Sequence, residues 1–315
     1  MHRLAGVVAA LALLAVGALL LTVGAEAFAE HVVPAARVVG LSAFGFAVLA
    51  AGAEPEEAWT AAVAAAQGRP DLAAGDAVGA NLVIATITLG LLALVTPFVV
   101  TRTVLRYAVL ATVTAVGALL VIGDSRVARL EAGVLVGAYA VIVALLWWRE
   151  RTPPSIGEMG EIETQVDDPP SLRAVGWVVA GLTLMVVGGL VAVEGAQRFV
   201  AATGLGDSAV GLTILALATS AEMLALVWSA RRRSLADVAL AGVVGAVIYN
   251  ATVTLGVAGL VRPLQLSNGV ALPAVGTVVV ATMALLAAAC GRRVGRVAGM
   301  ILVAAYAVTV VLVLR

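Results

Sequence analysis

Lysine is absent from this chain, cysteine occurs once and histidine twice. Each scarcity closes a route. The lone Cys290 excludes an intramolecular disulfide, and His2 and His31, both near the N-terminus, are too few to build a zinc centre with it. Charged residues make up 12% of the 315, where a soluble domain carries roughly 25%. The 19 arginines are matched by 19 acidic residues, so net charge points to no nucleic-acid partner and no polybasic lipid-binding tail. Catalytic constellations are missing as well. With no Ser-His dyad, no HExxH and no acid-rich pair for a pyrophosphate, the chain does not read as an enzyme and no cofactor is expected.

What is abundant is apolar sequence: 62% of the residues are hydrophobic and mean hydropathy is +1.10. Apolar runs of about 20 residues recur, whereas a barrel would alternate over ~10-residue segments. The expected fold is an all-α integral membrane protein, multi-pass in the bilayer of a cell membrane. Ten candidate spans fall at roughly 4–29, 38–66, 71–95, 103–123, 130–148, 174–201, 208–230, 236–261, 270–290 and 294–314. One long polar connection, 149–173, rich in proline and acid, divides the chain into 1–148 and 174–315, with five spans each. Loops on the N-terminal side hold seven arginines and those on the opposite side twelve, among them Arg231, Arg232 and Arg233, which read as a topology anchor. The richer side, with the linker, is therefore expected in the cytoplasm and both termini outside.

The first span imitates a secretory leader, with Ala25-Glu26-Ala27 as its cleavage site. Against that, Gly17, Leu19, Gly24, Ala25 and Phe28 recur as Gly188, Leu190, Gly195, Ala196 and Phe199 at a constant offset of 171. A cleaved leader needs no counterpart. A second register is stronger still. Shifted by 166, GLSAFGFAVLAAGAEPE (40–56) lies on GDSAVGLTILALATSAE (206–222), with Glu56 on Glu222. In the same register Asp71 meets Asp237, Gly79-Ala80 meets Gly245-Ala246, ATITLG (85–90) meets ATVTLG (251–256) and Pro97 meets Pro263. Shared composition explains matched alanines but not a matched Glu, Asp, Pro and two threonines. Five spans per repeat is odd, so the second copy enters the membrane from the opposite side: two inverted-topology five-helix repeats, the plan in which substrate and ion sites lie at mid-membrane between the copies.

Between apolar flanks, AGAEPEEAW (51–59) places Glu54, Glu56 and Glu57 within four positions. A carboxylate at mid-helix costs about 2.5–3.5 kcal/mol. Protonation, an arginine partner or a bound cation would relieve it, and no arginine lies in the middle of any span. Protons and metal ions remain, which suits a site that exchanges one for the other. Calcium takes six to eight oxygen ligands in irregular geometry. Glu56 and Glu222 would neutralise it as central ligands, and Thr219, Ser220, Asn81 and Asn250 offer further oxygens. Pro55 and Gly52 favour a locally unwound helix that frees carbonyls toward the ion.

These residues resemble the calcium:cation antiporter superfamily, which includes sodium/calcium and proton/calcium exchangers. Its members have ten helices in two inverted repeats, each with a motif like G-T-S-x-P-E on one helix and G-N-x-x-G-S-N-x-x-N on the next. The counterparts are GAEPEE (52–57) and GRPDLAAGDAVGAN (68–81) in the first copy, ATSAEM (218–223) and AGVVGAVIYN (241–250) in the second. The resemblance puts the motif glutamate at Glu57 and at Met223, one residue beyond Glu56 and Glu222. The Thr-Ser pair survives only as Thr219-Ser220, against Ala53-Glu54; Ala80 and Ala246 replace the motif serine; Asp76 stands where the earlier asparagine would.

The resemblance implies a secondary active antiporter exchanging Ca2+ against H+ or Na+ by alternating access. Fewer neutral hydroxyls and extra carboxylates tilt the counter-ion toward protons. The candidate ligands are Glu56, Glu222, Asn81, Asn250, Thr219, Ser220, Glu57, Glu54 and Asp76. Of these, Glu54 and Glu57 also read as acids facing water, and Asn81, Asn250 and Asp76 as helix-to-helix hydrogen bonders. Thr86, Thr88, Thr252 and Thr254 are expected to bond back to their own helices, and Glu26 and Glu194 to reach the interface. A monovalent cation/proton exchanger, a cation channel and a non-transporting relative stay open. One chain suffices for the function, and its oligomeric state is open.

Overall fold

In lipid, backbone N–H and C=O groups must be paired within the protein, and for apolar runs of this length the helix does so. The computed structural model describes residues 2–38, 54–95, 97–99, 102–150, 169, 171–220, 245–267 and 293–313. Among them are α1 (His2–Val38), α2 (Pro55–Ala66), α3 (Pro70–Val95), α4 (Arg102–Ile122) and α5 (Arg129–Glu150) in the first half. The second half holds α6 (Leu172–Thr203), α7 (Asp207–Thr219), α8 (Gly245–Val261) and α9 (Arg296–Val313). α1, α3, α4, α5, α6 and α9 are long and apolar enough to cross a bilayer.

The observed helices α3, α4, α5, α6 and α9 begin and end within two residues of their expected spans. Two helices differ instructively. α1 runs past the expected end at 29 to Val38, carrying Pro34 inside it, and the Pro34 carbonyl accepts a 3.2 Å hydrogen bond from the Ser171 N–H ahead of α6. Of the span expected over 38–66, Val38 closes α1 and the other described residues are helical only from Pro55, with Glu54 outside helical geometry at φ −97° and ψ 68°. Proline at the first helical position lacks the N–H that would be orphaned there, which sets the start of both α2 and α3. The expected span 270–290 lies outside the described residues, as do the parts of 208–230 after Ser220 and of 236–261 before Gly245.

Among the described residues three helices carry a π-helical turn: Ile84–Thr88 in α3, Gly211–Leu215 in α7 and Asn250–Thr254 in α8. The helical plan has one addition the hydropathy does not announce. Strand β1 (Phe98–Val99) pairs antiparallel with β4 (Arg293–Val294), and β2 (Arg126–Val127) with β3 (Leu264–Gln265), each joining one half of the chain to the other.

Helices meet through small residues, as membrane helices do when backbones approach closely. α1 and α6 run antiparallel; a methyl on Gly17 would lie 2.7 Å from Ala192 N, and one on Gly188 2.8 Å from Leu21 N. α3 meets α9 at Gly90, against Gly299 O at 3.1 Å, and α8 meets α5 at Gly256, against Ala132 O at 2.9 Å. α3 is the central element, with 78% of its most apolar window buried against 11% for α9. Exposed Leu120, Leu130 and Leu172 present hydrocarbon outward, the surface a bilayer accepts.

Candidate functional site

The start of α2, the end of α7 and the middles of α3 and α8 converge on one buried volume. Glu54 is the N-cap of α2, and its carbonyl accepts from Glu57 N at 3.1 Å and Ala58 N at 3.3 Å. Glu56 and Glu57 occupy the first turn, where the positive end of the helix dipole favours anions. All three side chains are shut away from solvent, at 0%, 1% and 1% exposure. Asp76, on α3, is also fully buried.

Three hydrogen bonds at this cluster join an acid of the first half to a neutral donor of the second. Ser220 Oγ donates to Glu57 Oε1 at 2.7 Å. Thr219 Oγ1 donates to Asp76 Oδ1 at 3.1 Å, and Asn250 Nδ2 donates to Glu54 Oε2 at 3.0 Å. The Asn250 amide is itself held, since its Oδ1 accepts from Thr254 Oγ1 at 2.7 Å. The Glu57 carboxyl lies within hydrogen-bonding reach of Glu54 and Asn250 too. Two carboxyls at that distance need a proton or a cation between them. Glu57 Oε2, Asp76 Oδ2 and Asn81 Oδ1 are buried acceptors with no hydrogen-bond partner among the described residues. Buried oxygens are ordinarily satisfied, so the unspent oxygens of Glu57 and Asp76, whose carboxyls act on one another, are what a cation would use.

The expected ligands Glu54, Glu57, Asp76, Thr219, Ser220 and Asn250 are thus brought together. Glu56 is buried beside them, in the electrostatic reach of Tyr249 along with Glu54 and Glu57. Asn81 stands on α3 further along and shares with Asn250 a cavity of about 20 Å³, lined also by Ala77, Ala118, Ile122 and Leu255. That is room for about one water. Glu222 lies outside the described residues. Among the described residues no three acidic, imidazole or thiol side chains stand close enough to hold a metal alone. Amide and hydroxyl oxygens must complete any shell, a requirement that hard cations such as calcium or sodium meet and zinc does not.

Thr86 and Thr252 bond back to Leu82 O and Ile248 O at 2.5 and 2.6 Å. Thr254 instead serves Asn250, and Thr88 has no partner among the described residues. Sequence reasoning missed three polar neighbours. Thr60 lies one turn after Glu56 on α2, buried with its Oγ1 unpartnered among the described residues; its spacing from Glu56 was the available signal. Tyr249 immediately precedes Asn250, and Tyr139 of α5 meets it edge to face with ring centroids 5.5 Å apart. Nothing in the local sequence of α5 marks Tyr139.

At one end of the bundle the turn between α2 and α3 is bound to the second half. Arg69 reaches both carboxylate oxygens of Asp207, at 3.0 and 2.9 Å, and Gln197 bonds to Gln67. Asp71 Oδ1 accepts from Ser267 N at 2.7 Å. Gly68, at φ +75°, keeps the turn tight enough for the Arg262 guanidinium to pass over it.

Comparison with known proteins agrees with this architecture. The family model of the sodium/calcium exchanger protein matches residues 9–148 and 173–315. The candidate antiporter CaxA of Alkalimonas amylolytica is 30% identical over 301 residues, covering 92% of this chain and 94% of that one. The inner membrane protein YrbG of Escherichia coli is 28% identical over 266 residues, covering 81% and 80%. The sodium-calcium exchanger NCX_Mj soaked with 10 mM Na+ and zero Ca2+ superposes with a TM-score of 0.62 at 24% identity, covering 97% of this chain and 99% of that one. With 2.5 mM Na+ and 10 mM Sr2+ the TM-score is 0.60 at 22% identity, with the same coverage. The helical fold is that of the exchanger, and with the family model spanning both halves the chain belongs to the sodium/calcium exchanger family of membrane cation antiporters, within the calcium:cation antiporter superfamily.

Proposed function

We propose that this antiporter exchanges calcium against protons or sodium by alternating access, at the buried site built from Glu54, Glu56, Glu57, Asp76, Asn81, Thr219, Ser220 and Asn250, with Glu222 completing it from the second half. The observation that carries the reading is the set of hydrogen bonds from Ser220, Thr219 and Asn250 to Glu57, Asp76 and Glu54. They leave buried carboxylate oxygens of Glu57 and Asp76 unspent and bring no described arginine to the cluster. Several anions without a fixed counter-charge are costly to occlude empty. Metal or protons must then be aboard whenever the site changes sides, and that requirement couples the two fluxes.

Ten helices in two inverted repeats, 1–148 and 174–315 joined by 149–173, belong to this reading. Pairwise contacts support it. Gly17 touches Ala192 while Gly188 touches Leu21, so each contact maps onto the other at the offset of 171. The π-turns Ile84–Thr88 and Asn250–Thr254 fall at the offset of 166. β1 and β3 share that same offset, and each pairs with a strand of the opposite half. The arginine distribution puts both termini outside and the linker in the cytoplasm. The site lies within a single chain, so a monomer is the functional unit.

The test is calcium uptake into proteoliposomes with pH and sodium gradients imposed independently, comparing wild type with Glu57→Gln, Glu56→Gln and Glu222→Gln. Uphill calcium movement driven by either gradient, abolished in Glu57→Gln, is the expected result. Flux only down the calcium gradient would mean a channel. Sodium-proton exchange indifferent to calcium would make the chain a monovalent exchanger, and normal flux in all three variants would remove the site assignment.

A further inference from the structure

The core face of α5 is a stripe of Ala132, Leu135, Tyr139, Val143 and Leu146, apolar except at Tyr139. Tyr139 is 7% exposed, and its hydroxyl has no hydrogen-bond partner among the described residues. Buried tyrosines normally satisfy that group, because a phenol taken from water without a partner loses its hydration for nothing. A leucine or phenylalanine would fill the stripe without this cost.

The ring reaches toward the cation site through Tyr249. It meets Tyr249 edge to face, with centroids 5.5 Å apart and planes at 85°. Tyr249 adjoins Asn250, whose amide donates to Glu54 Oε2 at 3.0 Å. Glu54 is also the carboxyl whose charge acts on Tyr139. Four donors here are already committed: Ser220 to Glu57, Thr219 to Asp76, Asn250 to Glu54, Thr254 to Asn250. Two further hydroxyls are unpartnered among the described residues, and neither serves. Thr60 Oγ1 lies toward Gly189 of α6, with a methyl there 3.7 Å away, and Thr88 is twelve residues beyond Asp76, roughly 18 Å along α3.

We propose that Tyr139 is a further residue of the cation site, its hydroxyl, unpartnered among the described residues, turning an oxygen lone pair to a divalent cation when one is bound. A phenol is suited to that task. It donates and accepts at one atom, carries no charge and rotates about only two side-chain torsions, so its oxygen is held at a fixed depth by the Tyr249 contact. The inference rests on the exchanger reading above and adds a ligand from α5, a helix that supplies none of the other candidate ligands.

The test uses the full chain in proteoliposomes and in detergent, with calcium as probe, and compares wild type, Tyr139→Phe and Glu57→Gln. Phenylalanine keeps the ring and its edge contact and removes only the oxygen. Loss of one polar contact to the charged cation predicts a half-saturating calcium concentration raised about tenfold. The thermal shift on adding calcium should shrink while the ion-free Tm stays unchanged. Half-saturation is read per folded molecule, so poor yield of the variant does not blunt the measurement. If Tyr139→Phe lowers the ion-free Tm but leaves half-saturation at the wild-type value, the hydroxyl is merely structural and the proposal is overturned. Unaltered half-saturation and thermal shift in Tyr139→Phe, with both lost in Glu57→Gln, would overturn it and leave the site reading intact. A wild type that neither moves calcium nor is stabilised by it overturns both.

Discussion

Ser220 Oγ donates a 2.7 Å hydrogen bond to Glu57 Oε1, and both residues are 1% exposed. The contact crosses from the second half of the chain to the first, 163 residues away, and holds the carboxylate in one rotamer beside Glu54 and Asn250. Replacing Ser220 with alanine removes one donor from a buried acid. A hydrogen bond to a charged group is worth about 1.5–3 kcal/mol, so the half-saturating calcium concentration in a proteoliposome uptake assay should rise at least about tenfold. Ser220→Thr, which keeps the hydroxyl, should recover most of it.

Thr219 Oγ1 and Asp76 Oδ1 lie 3.1 Å apart with both side chains buried. Thr219→Val preserves shape and deletes the donor, leaving Asp76 with neither oxygen bonded among the described residues. The expected cost is about 1–3 kcal/mol, seen as a lower Tm in detergent. Adding Asp76→Asn to that variant should restore much of the stability, because a neutral amide is easier to bury than a carboxylate. A double mutant as unstable as Thr219→Val alone would contradict this account.

One guanidinium nitrogen of Arg69, Nη1, donates to both carboxylate oxygens of Asp207, and the two side chains are 32% and 19% exposed. Partial exposure limits the worth of this ion pair to about 1 kcal/mol. Arg69→Ala and Asp207→Ala should each lower stability by that amount, and the double mutant should lose little more than either single change. High salt should narrow the difference from wild type. Full additivity in the cycle would show the pair to be energetically idle.

Two mid-helix glycines of similar sequence context should respond oppositely to alanine. At Gly17 a methyl would meet Ala192 N at 2.7 Å, while at Gly137 of α5 nothing lies within 4 Å. Gly17→Ala should therefore cost about 1–3 kcal/mol by forcing α1 from α6, and Gly137→Ala should be neutral or stabilising by up to about 1 kcal/mol through helix propensity. Thermal denaturation of the two variants side by side distinguishes them.

Much of the architecture was legible because helix formation in lipid is a local matter. The ends of α3, α4, α5 and α6 follow from run length, from Pro70 and from the polar residues that stop each apolar stretch. The acidic start of α2 was equally visible, since Glu54, Glu56 and Glu57 break an apolar run that contains no arginine. The same sequence did not say where Thr60 and Tyr139 would stand. A threonine or tyrosine in a membrane helix fits a back-bond, an interface or a site equally well, and only the neighbouring helices choose. The short strand pairs were hidden too, because two-residue strands carry no periodicity.

The sequence alone determined that this chain must be helical and in a membrane and that buried acids need a cation or proton for company, and it raised the expectation that the two halves are related. Each follows from composition, period or repetition, which are properties of the chain read in order. The tertiary structure decided which acid meets which donor: Glu57 with Ser220, Asp76 with Thr219, Glu54 with Asn250. Those pairs depend on the rotation and depth of four helices against one another. These are set by where small residues such as Gly75 and Gly79 of α3 let α7 come close enough to touch.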